Sequence, residues 1–396
     1  MFGVTPQKLS RWSRLVAGSS LLLAAAASAD VQINGFANIV AGSTFDDENV
    51  IREYDEDLGF ERDSLFGVQF TSDLSDGLSA TVQMVARGRD GWETDFTWAY
   101  MTYEFSDSSS IQFGRIRIPF YRYSEFLEVG YAYHWVTPPT IVYDIPINNQ
   151  DGIAYNYNST LGSFDTSLQL VVGRFNEPLK FDTSQGVVER PSDGVNNTSF
   201  IYSLTDFTWN FRFGYTVCSS CYLGLPTDGV IPTLASAGFS NATFVERVEA
   251  RDDQVSFSNF GIRYTGDNWF AEAEVAKFQA DDSMIAETTD SSYLSIGYTT
   301  DTTVWHITYE VEEADPRSAA VLLEGLIPTS DPNYPVIAGT TQAFANGFAI
   351  DTESVTFGVR YDFHPSAAYK IDFAKIDDNL TGESINLITT GISLVF

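Results

Sequence analysis

The stretch from residue 115 to residue 144 brings side chains of both charges close together in sequence. Its basic members are Arg115, Arg117 and Arg122, and its acidic members are Glu125, Glu128 and Asp144. Opposite charges that face each other across a narrow aqueous gap produce a transverse field, which orients polar solutes and discriminates between ions. We therefore expect these residues to form a charged, hydrated constriction. The alternative is that the carboxylates are ordinary solvated loop charges.

Two further arginines, Arg87 and Arg89, are candidates for the same constriction. The segment from residue 78 to residue 89 alternates between apolar and polar side chains, and both arginines lie on the polar face. If that face is turned toward water inside a channel, both arginines line the pore. The alternative is that they form salt bridges with a neighbouring strand.

Arg115 and Arg117 share the opposite face of their strand with Ile111 and Phe113. An arginine facing the lipid midplane costs about 2–4 kcal/mol. We therefore expect the strand to bulge or end near Gly114 and to turn both arginines into the lumen. The alternative is that this face lies at a subunit interface.

The charged stretch lies in an unusually long connection between two predicted strands. One strand runs from Ile111 to Ile118 and stops at Pro119, which has no N–H to donate to a sheet ladder. The next begins near Gly152, and a loop of about thirty residues is usually functional or disordered. This loop carries too many aromatic residues to remain disordered. We expect it to fold into a water-filled barrel and to narrow it.

The rest of the chain predicts that barrel. From Val31 onward the sequence repeats a strand, a long polar loop, a second strand and a very short turn, which is typical of a transmembrane β-barrel. The strand from residue 207 to residue 217 alternates aromatic residues with Thr, Asn and Arg212, and we also assign His306 and Arg360 to the lumen. The predicted fold is all-β: an antiparallel transmembrane barrel of about sixteen strands, with short periplasmic turns, long extracellular loops and the third loop inside the lumen. A soluble secreted β-protein is the alternative.

Residues 1–29 have the composition of a secretory signal peptide. A basic segment precedes an apolar run from Leu15 to Ala26, and small residues follow up to Ala29. The apolar run is too short to span a bilayer comfortably. We expect cleavage near Ala29, which leaves residues 30–396 as a single barrel domain.

The formal net charge of −31 disfavours nucleic acid as a partner. It suits a surface that attracts cations, including divalent ions that bridge anionic lipid head groups. Cys218 and Cys221 are separated by two serines, and in an oxidising compartment they favour a small disulfide. A zinc or redox role is the alternative. We expect no metal and no cofactor.

An enzymatic role requires a nucleophile with a base nearby. The three histidines are His134, His306 and His364, and no serine with a catalytic signature lies near any of them in the sequence. We therefore expect a protein that is not an enzyme. An outer-membrane hydrolase is the alternative, and loss of hydrolysis on changing one Ser or His would identify it.

Taken together, these features resemble the general porin family of Gram-negative bacteria. The resemblance extends over residues 30–396 and rests on three short features: the strand Val31-Gln-Ile-Asn-Gly-Phe36, Phe113-Gly-Arg115 before the third long loop, and the terminal Phe396. It implies a trimer of sixteen-stranded barrels in which an acidic cluster on the third loop faces basic residues of the wall. The third loop differs from the family motif Pro-Glu-Phe-Gly-Gly, because it reads Ser124-Glu-Phe-Leu-Glu-Val-Gly130.

The resemblance also implies a function and a location. The expected function is passive diffusion of small hydrophilic solutes and ions through a channel in the outer membrane. Expected partners are two further copies of the chain, outer-membrane lipid and lipopolysaccharide, and the assembly machinery that reads the strand ending at Phe396. Two alternatives stay open: a channel selective for small acidic, aromatic or sugar solutes, and a structural or adhesive barrel that does not conduct.

Overall fold

A computed structural model describes residues 31–396, apart from residues 47–49, 144, 146, 184–185, 226, 228, 282 and 284–287. The predicted signal peptide and Asp144 lie outside the described residues. The strands are β1 (Val31–Ser43), β2 (Leu65–Ser75), β3 (Leu78–Arg87), β4 (Thr94–Ser106), β5 (Ser109–Arg117), β6 (Asn149–Leu161), β7 (Phe164–Asn176), β8 (Leu179–Thr183), β9 (Gly186–Arg190), β10 (Asp193–Thr205), β11 (Trp209–Tyr222), β12 (Asp253–Thr265), β13 (Trp269–Ala280), β14 (Thr288–Thr299), β15 (Thr303–Ala314), β16 (Ile350–His364), β17 (Ala367–Asp378) and β18 (Glu383–Val395).

Sixteen of these strands form one closed antiparallel barrel, in which each strand pairs with the next barrel strand along the chain and β18 pairs with β1. The remaining two, β8 and β9, form a separate hairpin, so β7 pairs with β10. The prediction of about sixteen strands is confirmed. At one end of the barrel, successive strands are joined by turns of two or three residues, and the first and last strands also end there. The connections at the other end include three of 30 residues or more: 118–148, 223–252 and 315–349.

The period of two separates an apolar outer face from a polar inner face. In β11 the aromatic rings of Phe213 and Tyr215 are exposed, whereas Arg212 and Thr216 are buried inside the barrel. The same pattern recurs around the sheet, for example at exposed Ile296 on β14. An apolar belt on a closed barrel is stable only against lipid, because closure leaves no unpaired strand edge and the belt avoids water. The chain is therefore a membrane-spanning barrel.

Four α-helices lie in the long connections: α1 (Val230–Ser236), α2 (Ala242–Val248), α3 (Ala319–Leu322) and α4 (Tyr334–Ala345). Among the described residues, no helix is both long and apolar enough to cross a bilayer.

The helices and the β8–β9 hairpin were not predicted from the sequence. Leu234, Phe244, Leu322 and Ile337 from the four helices are buried in one apolar cluster. The disulfide between Cys218 and Cys221 belongs to the same cluster. The disulfide lies near the end of β11, where the pairing with β12 shifts register. These contacts give the long-connection end of the barrel its own small hydrophobic core.

The chain end closes the cylinder. Phe396 N donates to Gly35 O at 2.9 Å, and Gly35 N donates to Phe396 O at 2.7 Å. The Phe396 ring lies over Gly35, where an added Cβ would approach the ring to 2.2 Å, and it stacks on Phe66 with centroids 6.1 Å apart. The terminal aromatic ring therefore requires a glycine beneath it.

Deleting Ile392 to Phe396 is expected to prevent barrel assembly. The deletion removes the residues of β18 that pair with β1 from Phe36 to Ile39, so parts of two strand edges stay open in a hydrophobic environment. Fractionation should find the truncated chains unassembled, without the heat-resistant form of the full-length protein. Normal heat-resistant barrels from the truncated chain would contradict this expectation.

Candidate functional site

The connection from residue 118 to residue 148, here named the inward loop, lies inside the barrel. It first contacts the β11–β12 wall, where Arg212 donates from Nη2 to Pro119 O at 2.5 Å and from Nη1 to Phe120 O at 3.2 Å. Arg212 also donates to Asn259 Oδ1 at 2.6 Å. One wall arginine therefore satisfies two loop carbonyls that have no place in a sheet ladder.

On β13, two wall carboxylates bind the inward loop. Glu274 accepts from the backbone N–H of Arg122 at 2.9 Å and from the Tyr143 hydroxyl at 2.6 Å. Glu272 accepts from the Tyr123 hydroxyl at 2.7 Å and pairs with Arg263 at 3.0 Å. Both carboxylates are about 1% exposed, so the loop fully covers this part of the wall.

On β16 and β17, wall side chains of positive charge also bind the inward loop. Lys370 Nζ donates to Tyr133 O and Trp135 O, each at 2.7 Å, and also to Gly130 O. Arg360 Nη1 donates to Tyr131 O and Tyr133 O, each at 2.8 Å. These charge-assisted bonds are stronger than neutral ones and anchor the loop carbonyls to the wall.

Two more carboxylates, on β15 and β17, accept loop N–H groups. Asp372 accepts from Val136 N at 2.7 Å, and Glu310 accepts from Ile141 N at 3.0 Å. Wall cations thus bind loop carbonyls, and wall anions bind loop N–H groups. Many polar backbone groups of the irregular loop thus have hydrogen-bond partners, as the backbone groups of a sheet do.

Aromatic packing fills the space between these polar contacts. Tyr123, Tyr133 and Trp135 of the inward loop form one buried cluster with wall residues Phe257 and Tyr293. Trp135 Nε1 donates to Thr308 Oγ1 at 2.8 Å, so the only polar atom of its buried side chain is satisfied.

His134 and His306 lie beside this cluster, with ring centroids 4.7 Å apart. Burial, helped by the nearby His306 and cationic side chains, lowers the pKa of His134 well below its ordinary value, so the ring is neutral. A His134 ring nitrogen lies 3.2 Å from Ser295 Oγ, and His306 Nε2 lies 3.2 Å from Asp372 Oδ1. Ser295 is fully buried and also accepts from Thr308 Oγ1 at 2.8 Å, so its hydroxyl is not open to a substrate.

Glu128 connects the inward loop to the opposite side of the barrel. Its carboxylate accepts from Arg87 Nη2 at 2.7 Å and from Arg117 Nη2, while its carbonyl accepts from Asn38 Nδ2 at 3.2 Å. Burial would raise the pKa of Glu128, but Arg117 and Arg87 outweigh it and lower the pKa from 4.5 to about 2. We name the three side chains Arg87, Arg117 and Glu128 the charge latch.

The charge latch differs from the constriction that we expected from the sequence. There, arginines and carboxylates were expected to face each other across a hydrated gap. The latch carboxylate touches both arginines directly and is buried, so no water-filled gap separates the charges. Direct contact is favoured because three charges in a confined space would otherwise each lose hydration without compensation. The latch therefore bonds this end of the inward loop to β3 and β5.

Arg115 is placed elsewhere, and its expected inward turn is wrong. It pairs with Glu177, lies 3.9 Å from Asp151, and donates to Phe96 O at 2.7 Å. Asp151 is its register partner on β6, and both lie on the strand face of exposed Phe113. Gly114 does adopt a left-handed φ of 132°, against the Ala99 carbonyl, but only Arg117 reaches the lumen.

Of the other residues that the sequence predicted for the site, three lie inside the barrel wall and three lie outside the latch. Arg212, His306 and Arg360 lie inside the barrel, as described above. Arg89 lies after β3, with 42% of its side chain exposed and Asp90 3.9 Å away, so it is not part of the latch. Arg122 donates to Asn210 Oδ1 at 2.8 Å. Glu125 is exposed, and its nearest polar contact is Gln169 Nε2 at 3.4 Å.

The wall that the loop leaves uncovered is rich in carboxamides. Its members, here named the amide wall, are Gln69, Gln83, Gln112, Asn156 and Gln169, and they come from β2, β3, β5, β6 and β7. Gln83 Nε2 donates to Gln69 Oε1 at 3.2 Å, and Asn156 is the register partner of Gln169. Side chains alternate between the two faces of a strand. Because Phe113 and Leu170 are exposed on the outer face, their neighbours Gln112 and Gln169 point inward, together with the residues that pair beside them.

Sequence reasoning missed the wall charges that bind the loop. They are Glu272, Glu274, Glu310, Lys370 and Asp372, and all five are buried. A signal was present, since Glu272 and Glu274 alternate with alanines in a strand whose other face is apolar. Several buried charges on successive inward positions indicate a covering segment with many polar backbone groups.

Comparison with known proteins supports the fold at low sequence identity. No protein-family model matches the sequence, and neither does any curated protein. The structure is similar to an anion-selective porin from Comamonas acidovorans, with 14% identity, a TM-score of 0.55, and 93% of this chain and 100% of that chain covered. It is also similar to OmpF of Salmonella typhi in complex with daunomycin, with 12% identity, a TM-score of 0.55, and 92% and 97% covered.

A third similar structure is the trimer form of OmpT, an outer membrane protein of Vibrio cholerae. It shares 12% identity with this chain at a TM-score of 0.52, over 93% of this chain and 99% of that one. All three matches extend over nearly the whole barrel. The chain has the sixteen-stranded fold of the bacterial porins.

Proposed function

We propose that this protein is an outer-membrane channel for the passive diffusion of small hydrophilic solutes and ions. One observation carries the proposal: apart from the latch, the inward loop is bonded mainly to the β11–β17 wall, and the carboxamides of the amide wall other than buried Gln83 stay partly exposed. A loop that only plugged the barrel would need to cover both sides. Water and small polar solutes pass along the uncovered side, where carboxamides replace part of their hydration.

The location and assembly follow from the same proposal. The chain is exported with residues 1–29 as its signal peptide and inserts into the outer membrane of a Gram-negative cell. Its lipid partners there are outer-membrane lipid and lipopolysaccharide, and the strand ending at Phe396 is presented to the assembly machinery. A homotrimer is supported by the trimer form of the similar V. cholerae protein.

Ion preference in this channel is set by the inward-loop charges that remain accessible. Glu125 is exposed toward Gln169, whereas the carboxylate of Glu128 is neutralised by two arginines. An accessible carboxylate beside a narrow passage attracts cations and repels anions, especially at low ionic strength. We therefore assign a moderate cation preference to the channel.

Recording from the mature protein in planar bilayers tests the proposal. Stable conductance steps with a cation-selective reversal potential in a salt gradient are expected. Glu125→Gln should lower the cation-to-anion permeability ratio by about twofold, because it removes one charge and keeps the shape of the side chain.

The matched control is Glu383→Gln, which changes an exposed carboxylate at the start of β18. It should leave the permeability ratio unchanged. A purified, folded barrel that gives no conductance steps would overturn the channel proposal in favour of a structural or adhesive barrel.

A further inference from the structure

A polar recess lies at the short-turn end of the barrel, lined by β6, β7, β10, β11 and the β4–β5 turn. Its volume is about 540 Å³, within the range of about 300–1,000 Å³ typical of small-molecule sites. The polar side chains that line it include Asp107, Asn158, Asp165, Ser167, Ser203 and Asn210. No basic side chain is among its lining residues.

The recess continues the amide wall. Asn158 follows Asn156 by two positions on β6, and Ser167 precedes Gln169 by two on β7, so each pair shares one strand face. A solute that moves along the amide wall therefore meets the same kind of surface in the recess. Arg122 donates to Asn210 Oδ1 at 2.8 Å and joins the inward loop to the edge of the recess.

The chemistry of this surface matches hydroxyl groups. A carboxamide offers both donors and an acceptor, a hydroxyl offers one donor and accepts, and a carboxylate accepts only. A sugar hydroxyl also donates and accepts, so neighbouring hydroxyls can bond to an amide and a carboxylate together. An anionic solute would meet Asp107 and Asp165 without a compensating cation among the lining residues.

Aromatic rings also lie on this side of the lumen. Trp98 and Tyr100 occupy neighbouring inward positions on β4, with ring centroids 6.2 Å apart. Tyr100 is the register partner of Thr81, and Trp98 is the register partner of Gln83. Both side chains are partly exposed. Flat aromatic faces of this kind contact the C–H faces of pyranose rings.

We propose that the amide wall and the recess form a binding path for neutral polyhydroxylated solutes of about disaccharide size. This inference rests on the proposed channel function and names the solute class that the channel favours. Binding is weak and reversible, because a solute must also leave the site for transport to continue.

The experiment adds sucrose to the mature protein in a planar bilayer while the ion current is recorded. Sucrose should reduce the current reversibly and in a saturable way, beyond the effect of glycerol at equal viscosity. Asn158→Leu and Ser203→Val should each raise the half-blocking sucrose concentration about three- to tenfold, the value of one lost hydrogen bond. The control Asn268→Leu, in the β12–β13 turn, should leave it unchanged.

The outcomes separate this inference from the channel proposal. Normal ion conductance without a saturable effect of sucrose would overturn the inference and leave the channel proposal standing. Block by tetrabutylammonium but not by sucrose would also overturn it, in favour of a site for organic cations at Asp107 and Asp165. Loss of all conductance in the wild-type protein would instead contradict the channel proposal.

Discussion

Replacing Glu128 with alanine is expected to raise the single-channel conductance severalfold and to shift selectivity toward anions. The change leaves Arg87 and Arg117 buried without their carboxylate. Removing one partner of a buried ion pair costs about 3–5 kcal/mol, because the remaining charge has lost its hydration. The arginines regain water when this end of the inward loop moves away. Planar-bilayer recording at low salt measures both effects.

Two variants make this result specific. Glu128→Gln keeps the size of the side chain and part of its hydrogen bonding, so it should give an intermediate conductance. Glu125→Ala removes an exposed carboxylate of the same loop and should change selectivity with little change in conductance. If Glu128→Ala retained wild-type conductance and reversal potential, the latch would not hold the loop.

The depressed pKa of Glu128 also defines the pH range over which the latch works. A carboxyl group whose pKa is lowered on folding stabilises the folded state fully above its ordinary pKa of 4.5. That contribution is lost as the pH falls toward about 2. Conductance should therefore stay constant as the pH is lowered to 4.5. Below that value, the conductance should begin to approach that of Glu128→Ala.

Replacing Lys370 with methionine is expected to cause the largest loss of stability of the inward loop. Lys370 is 1% exposed and donates to three loop carbonyls, at Gly130, Tyr133 and Trp135. Methionine keeps most of the packing but has no donor. Tyr133 O keeps its bond from Arg360 Nη1, whereas Gly130 O and Trp135 O lose the ammonium donor. A buried carbonyl left without a partner costs about 1–3 kcal/mol, so we expect a loss of a few kcal/mol. Proteolysis within residues 118–148 and the near-ultraviolet circular dichroism of the buried aromatic residues measure the change.

Lys375→Met is the matched control for this prediction. Lys375 lies on the same strand, but 53% of its side chain is exposed, and it pairs with Asp377. Exposed ion pairs contribute about 0–1 kcal/mol, so this variant should behave like the wild type. Equal protease resistance of the Lys370→Met and wild-type barrels would mean that the carbonyl contacts do not hold the loop.

The barrel could be predicted from the sequence because its main signal is local. A period of two needs only one strand, and Phe207–Val217 displays it in full. The turn lengths then give the antiparallel order, and the count of about sixteen strands follows. The long aromatic loop could be placed inside for the same reason, since Pro119 ends its strand and its rings need burial.

The contacts of the loop could not be predicted in this way, because they join residues far apart in the chain. Lys370 meets Gly130 across 240 residues, and no periodicity connects them. The sequence also left open which arginine of β5 pairs with Glu128. Arg115 and Arg117 lie two residues apart, and only Arg117 turns inward. That difference arises at the end of β5, where the strand stops and its last side chain is no longer constrained by alternation.

The helices in the long connections were missed for a different reason. Each is short, from four to twelve residues, and short helices have little stability of their own. They form because their apolar faces meet in one cluster with the disulfide and with residues of the inward loop such as Ile118 and Ile147. Their sequence signal is therefore weak, and tertiary packing decides their structure.

The way in which the wall holds the inward loop has a consequence for how this barrel tolerates substitutions. Arg212, Arg360 and Lys370 donate to carbonyls of the loop, and Asp372 accepts from a loop N–H. Every amino acid provides the carbonyl, and every amino acid except proline provides the N–H. Substitutions on the lumen-facing side of the loop therefore leave its path intact, while substitutions of these wall residues displace it. A library of pore variants with altered solute preference should accordingly vary the loop side chains around Glu125 and leave the charged wall unchanged.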